Sequence, residues 1–364
     1  NGGDGNDIID GGLGSDVVSG GEGDDIIYGG DGTYLLAGGE ENDTLYGDAG
    51  NDQLVAGLGN DTMSGGDGDD YMVSGSEYGY ATGDSVMDGG TGNDTYRIDS
   101  LVDQIVETEG NGTDTVISPL DYTLSAELEN LTLQGEATHG IGNDKDNVLQ
   151  GGTWLEGKDG NDTLSLSGNG VLDGGTGNDT LYGAAGNDTY MFALGYGQDT
   201  IREYNGAIDL TRTQNDVIQM AADILPSDVV WSRSNNDLIL SVNGTGDQLY
   251  IPSYFDISLF LGAYRFSGEL YIPSGDSVVG DTAPYYFAPS KIEEIRFADD
   301  DEHVRRHKRK EVMEKFLPDV WNRGRDIPLR RNFPAHHENA HEDDRNSGDE
   351  LAFHQGELSK LLLF

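Results

Sequence analysis

The sequence predicts an all-β fold, a right-handed parallel β-roll, and three observations carry that prediction. Residues 2–73 divide without a gap into eight nine-residue units, the eighth place of every unit is apolar, and glycine recurs at fixed places between the apolar ones. Three residues with one inward apolar side chain make a short strand. Six glycine-rich residues make a turn that needs positive φ or a close backbone approach. Two units close one coil, and successive coils stack their strands in parallel.

The eight units read GGDGNDIID, GGLGSDVVS, GGEGDDIIY, GGDGTYLLA, GGEENDTLY, GDAGNDQLV, AGLGNDTMS and GGDGDDYMV. Their apolar eighth places are Ile9, Val18, Ile27, Leu36, Leu45, Leu54, Met63 and Met72. The sixth place is aspartate in seven units, at Asp7, Asp16, Asp25, Asp43, Asp52, Asp61 and Asp70, and tyrosine at Tyr34. With two units per coil, each aspartate stands above another 18 residues away. Asp7, Asp25, Asp43 and Asp61 then share one edge, and Asp16, Tyr34, Asp52 and Asp70 the other. Stacked carboxylates beside turn carbonyls form an all-oxygen site for a hard cation, and the size and flexibility of such a site suit calcium better than magnesium. Tyr34 lacks the carboxylate, so the two places it shares should be weak or empty. Glu41 replaces a turn glycine in the unit that carries Asp43.

These units resemble the calcium-binding RTX nonapeptide, G-G-x-G-x-D-x-U-x, of haemolysin-type and serralysin-type secreted bacterial proteins. The resemblance implies calcium as the bound ion and export as an unfolded chain by type I secretion machinery. It also implies folding outside a Gram-negative cell, where calcium is abundant.

Beyond Val73 the register breaks at SGSEYGYATGDSVMD and returns at GGTGNDTYR (89–97), with Asp94 in the ligand place. A second block runs through GKDGNDTLS (157–165), a short degenerate unit, GGTGNDTLY (174–182) and GAAGNDTYM (183–191). Asp162 and Asp179 should stack there, Asp199 should follow one coil later, and Asp188 falls on the opposite edge with no aspartate beneath it. Between the blocks, YTLSAELENLTLQG (122–135) resembles the strand-rich spacer found between RTX blocks. Leu128, Leu131 and Leu133 are its expected core, and Glu127 and Glu129 are read as a solvated strand face.

Residues 224–255 alternate apolar and polar side chains, with turns at Asn235–Asn236 and Asn243–Gly246, and KIEEIRFADD (291–300) reads as another strand. These segments resemble the haemolysin-type calcium-binding related domain that follows RTX blocks. Trp231, Tyr250, Tyr254, Phe255 and Tyr264 look like its core or a solenoid cap. The expected organisation is therefore a first roll at 1–99, a spacer at 100–156, a second roll at 157–202, a β-rich cap at 203–302 and a disordered or partly helical tail at 303–364.

Composition sharpens the division. The chain carries 67 Asp+Glu against 21 Lys+Arg, a formal charge of −46, with 55 glycines and no cysteine. The missing cysteine excludes disulfides, thiolate metal sites and a cysteine nucleophile. So acidic a chain lacks the basic face that nucleic acid needs, and it holds no run of ~18 apolar residues that could span a membrane. Residues 303–364 hold 12 Lys+Arg, 11 Asp+Glu and six of the seven histidines, so the negative charge lies wholly in residues 1–302. Within the tail, His337-Glu338-Asn339-Ala340-His341 matches the H-E-x-x-H zinc pattern. Pro334 lies just upstream and no apolar stripe exists to bury a helix, so a solvated segment is the expected reading. RRHKRK (305–310) reads the same way.

No catalytic constellation emerges, and the fragment is expected to be non-enzymatic. A start at Asn1 without a leader reads as a fragment or processed form. Its parent could be a secreted protease, lipase or polysaccharide epimerase, or a large adhesin or surface-layer protein.

Overall fold

The structure, a computed structural model, describes residues 1–75, 83–202 and 216–254 together with the backbone of the strand Ile292–Arg296. The Glu338 motif, the basic run, Phe255, Tyr264 and residues 76–82 of the insertion after Val73 lie outside the described residues. Among the described residues there is no helix, and none therefore long and apolar enough to cross a membrane.

The chain winds as a parallel β-solenoid whose coils alternate between two walls. One wall is a single 15-stranded sheet that begins at Gly3–Asp4 and Val17–Glu22 and runs through Thr95–Arg97, Thr115–Ser118, Asn130–Leu133 and Val148–Gln150 to Gln198–Arg202. The opposite wall is built from two sheets. A six-stranded sheet runs from Ile8–Asp10 to Gln104–Val106, and a seven-stranded one from Tyr122–Thr123 to Ile292–Arg296. Through the eight unbroken nonapeptides the pairing keeps an 18-residue register, as in Leu36 beside Leu54 and Leu45 beside Met63, and it widens to 24 residues across the insertion, as in Met63 beside Met87. The spacer strands pair into the same long sheet as both rolls, so the hydrogen bonding passes from one block to the other without interruption.

One apolar side chain per short strand supplies the core. Ile27, Leu36, Leu45, Leu54, Met72, Val116, Leu149, Leu164 and Leu181 are all fully buried, one above another along the axis. The spacer behaves alike, with Leu128, Leu131 and Leu133 buried. Such a core is only one or two side chains thick, which leaves each coil dependent on its turns as well as on apolar burial.

The turns explain the glycine content. A Cβ on Gly38 would lie 2.3 Å from Asp43 Oδ2 and 2.5 Å from the carbonyl of Ala56 in the next coil, and Gly39 has φ +137°. Glu41 takes a glycine place with φ 73° and still fits, its carboxylate accepting from the Gly23 N–H at 2.9 Å.

Beyond Arg202 the long sheet continues with an antiparallel hairpin, Val229–Ser234 and Asp237–Val242, followed by Gln248–Ile251. The expected turn at Asn235–Asn236 is present, Asn235 taking φ 55°. Trp231 is buried, Tyr254 packs against the core, and the Tyr250 hydroxyl donates to Asp237 at 2.8 Å. The strand Ile292–Arg296 pairs with Asp216–Met220 on the opposite wall.

Candidate metal centre

The sixth-place aspartates enter the turns as expected, and a repeating hydrogen bond joins them. Where the next coil also carries an aspartate on that edge, the backbone N–H donates to its Oδ1. On the first edge these bonds run from Asp7 to Asp25 at 2.7 Å, from Asp25 to Asp43 at 2.9 Å and from Asp43 to Asp61 at 2.9 Å. On the second edge they run from Asp52 to Asp70 at 2.7 Å and from Asp70 to Asp94 at 2.8 Å, the latter across 24 residues because of the insertion. In the second roll Asp162 reaches Asp179 at 2.8 Å and Asp179 reaches Asp199 at 3.0 Å.

This arrangement employs one carboxylate oxygen and leaves the other bare. Oδ2 of Asp7, Asp25, Asp43, Asp52, Asp61, Asp70, Asp94, Asp162, Asp179, Asp188 and Asp199 is buried and has no hydrogen-bond partner among the described residues. Apart from Asp7 these residues are 2% exposed or less. An unpaired buried carboxylate oxygen is costly, and here the cost repeats on every coil. From Asp43 onward in the series, burial is the main cause of a raised pKa, and nearby acids add to it. Asp43, Asp70, Asp162 and Asp188 are pushed up to about 7, Asp94 and Asp179 to about 6, and Asp199 to about 8. A hard divalent cation accepts bare carboxylate oxygens and glycine-turn carbonyls, so the residues present fit calcium.

Two expected ligands stand apart. Asp16 is exposed, and the next coil offers it Tyr34 rather than an acid. The buried Tyr34 ring lies where carboxylates stand elsewhere, and its hydroxyl donates to the Gly12 carbonyl at 2.7 Å. Asp188 sits on the other wall. Its Oδ1 accepts from the Gly170 N–H at 3.0 Å, and its own N–H donates to Asp216 Oδ1 at 2.9 Å.

The series also extends through residues outside the nonapeptides. Asp94 N–H donates to Asp114 at 2.8 Å, Asp114 to Glu129 Oε2 at 2.9 Å, and Asn147 to Asp162 at 2.7 Å. Asp103 accepts from Ser85 N–H at 3.1 Å on the first edge, and Asp247 accepts from Gly195 and Gly197 at the far end. Glu127 and Glu129 are therefore not a solvated face. Lys145 Nζ binds Glu129 at 2.8 Å and Glu127 at 3.1 Å, while Asn147 Nδ2 donates to the Glu129 carbonyl at 3.1 Å. In this coil an ammonium and an amide supply the positive charge and the donors. A shared signal marks the missed acids Asp103, Asp114, Asp216 and Asp247: each stands two residues before a strand's inward apolar residue, at Ile105, Val116, Ile218 and Leu249.

Comparisons with known proteins agree with this chemistry. The family described as the RTX calcium-binding nonapeptide repeat (4 copies) matches residues 1–36, 37–72, 81–97 and 165–199. RTX nonapeptide repeats bind calcium, and the chain carries them. The chain is 37% identical over 78 residues to the endo-1,3-1,4-beta-glycanase ExsH of Rhizobium meliloti (strain 1021), covering 21% of this chain and 17% of that protein. It is 28% identical over 219 residues to the endo-1,3-1,4-beta-glycanase EglC of the same organism, covering 57% of this chain and 43% of that protein. The chain thus spans less than half the length of either relative. Among solved structures, the extracellular lipase LipA from Serratia marcescens matches at 22% identity and a TM-score of 0.24, over 61% of this chain and 38% of that one. A TM-score that low carries no structural argument.

Proposed function

We propose that this chain, whose repeats are RTX calcium-binding nonapeptides, is the calcium-folded, non-catalytic repeat region of a protein secreted from a Gram-negative bacterium. The observation that carries the reading is the series of eleven aspartates, each with one buried carboxylate oxygen left bare. Without a cation these acids repel, and a core one side chain thick does not offset chain entropy. Calcium binds only the folded turns and so stabilises them by mass action. At a dissociation constant of ~0.1 mM and ~1 mM calcium, linkage gives roughly 1.4 kcal/mol per site.

Cytosolic calcium is far lower, so the chain stays unfolded inside the cell. That state suits export through type I secretion machinery, and folding follows outside. The glycanase relatives favour one parent over the others: a secreted polysaccharide hydrolase whose catalytic part lies outside this chain. Bound calcium supplies charge neutralisation and cross-linking between coils, while Asp7, Asp25, Asp43, Asp52, Asp61, Asp70, Asp94, Asp162, Asp179, Asp188 and Asp199 hold it.

A calcium titration of the full chain, followed by intrinsic tryptophan and tyrosine fluorescence, tests this function. The expected folding midpoint lies between ~1 μM and ~1 mM, the span from strong sensor sites to extracellular modules. A midpoint in the nanomolar range would mean that the chain folds before export and would overturn the secretion role.

A further inference from the structure

Between Thr95–Arg97 and Thr115–Ser118 the chain makes an excursion through Gln104–Val106 before rejoining the long sheet. The excursion brings Glu107 against two neighbours of the aspartate series. One carboxylate oxygen from each of Asp94, Glu107 and Asp114 lies within 4.8 Å of the others, and among the described residues this is the one such group of three.

Their surroundings point to a ligand. Asp94 is 1% exposed and Asp114 2%. Asp94 Oδ1 accepts from the Asp70 N–H at 2.8 Å, while its Oδ2 has no partner among the described residues. Glu107 is held from the far side by the Tyr96 hydroxyl, which donates to Oε1 and accepts from the Gly89 N–H at 2.9 Å. Tyr96 is itself fully buried, so this support cannot swing away. Lys145, which is charge-coupled to Asp114, is already committed to Glu127 and Glu129.

We propose that Asp94, Glu107 and Asp114 form a three-carboxylate site for a divalent cation of the calcium class, with Glu107 contributed from outside the repeats. The inference rests on the calcium reading above and adds to it a site of a different kind. Calcium–oxygen distances of roughly 2.3–2.6 Å allow opposed ligand oxygens to stand up to about 5 Å apart, which accommodates the observed cluster. Magnesium, at roughly 2.0–2.1 Å, allows opposed ligand oxygens only about 4 Å apart and demands a stricter geometry. A third carboxylate raises the charge count over that of the two-acid turns, so this site is the tightest in the chain and fills first. Filling it pins the excursion to the aspartate series at the last nonapeptide of the first roll, making the junction the first ordered point between the rolls.

The test is calorimetric titration of the full chain with calcium chloride, comparing wild type, Glu107→Gln and the exposed neighbour control Glu109→Gln. The tightest binding class should weaken at least about tenfold in Glu107→Gln, the lower end of what loss of even an outer-shell partner costs. Glu109→Gln should match wild type. Unchanged binding in Glu107→Gln, or equal weakening in both variants, overturns the site. If wild type itself binds no calcium, the repeat reading has failed and this site with it, a result distinct from either of those. Circular dichroism in saturating calcium checks folding. Should Glu107→Gln fail to fold, Tyr96→Phe, which removes the hydroxyl that holds Glu107 and accepts from the Gly89 N–H, carries the test: a weakened tightest class supports the site and an unchanged one overturns it.

Discussion

Tyr34 stands in the aspartate series directly before Asp52, its N–H donating to Asp52 Oδ1 at 2.7 Å, while its hydroxyl closes on the Gly12 carbonyl of the preceding coil at 2.7 Å. The backbone thus keeps the repeat geometry, but the side chain exchanges a cation ligand for a hydrogen-bond donor. The hydroxyl also lies 3.2 Å from the Asp31 carbonyl. A phenol has filled the turn that a carboxylate and a cation would otherwise share.

Tyr34→Asp should therefore add calcium capacity, since the new carboxylate would face both Asp16 and Asp52. Equilibrium dialysis is expected to show at least one additional ion per chain. An unchanged stoichiometry would mean that the turn carbonyls cannot open to a cation there.

Asp43 separates the metal-free and metal-bound states most sharply. It is buried, bears a bare Oδ2 and lies between Asp25 and Asp61 on one edge. Asp43→Asn removes the buried charge and supplies an amide donor of the kind that Asn147 uses on the Glu129 carbonyl. In chelator, circular dichroism should show at least as much β structure in the variant as in wild type. In ~1 mM calcium it should be less stable by about 1–3 kcal/mol, the linkage of one to two sites at a dissociation constant of ~0.1 mM. Equal melting temperatures of the two proteins in calcium would assign Asp43 no part in holding the ion.

The pH dependence should reverse between the two states. In the folded chain, burial raises Asp43, Asp70, Asp162 and Asp188 from 3.8 to about 7 and Asp199 to about 8. A raised carboxyl binds more protons in the folded state, so its stabilising contribution is complete below about 4 and is lost as pH rises through 7 to 8. The calcium-free chain is expected to show more β structure at pH 5 than at pH 8. With calcium the acids must ionise to bind, so the calcium midpoint should rise as pH falls below about 7. Circular dichroism in chelator and calcium titrations at the two pH values check both signs.

Much of this was legible from residue types alone. A nine-residue period with one apolar place and one aspartate dictates coil, core and carboxylate edge together, and Asp7 through Asp70 fall where the period puts them, apart from the substitution at Tyr34. The period fails where coil length changes. Asp94 and Asp114 are 20 residues apart and Asp114 and Glu129 are 15 apart, yet each pair bonds as an 18-residue pair does. Pairing between strands, not count along the chain, sets the stacking there, and a fixed period cannot express it. The lysine clamp is harder still to read, because Lys145 meets Glu127 and Glu129 only once two coils are stacked.

The central claim is that calcium is the condition for folding. Far-ultraviolet circular dichroism of the full chain in EGTA and in millimolar calcium tests it most directly. The account predicts a disordered spectrum in EGTA that converts to a strong β spectrum when calcium is added and reverts when it is chelated. A β spectrum of equal strength in both conditions would contradict it.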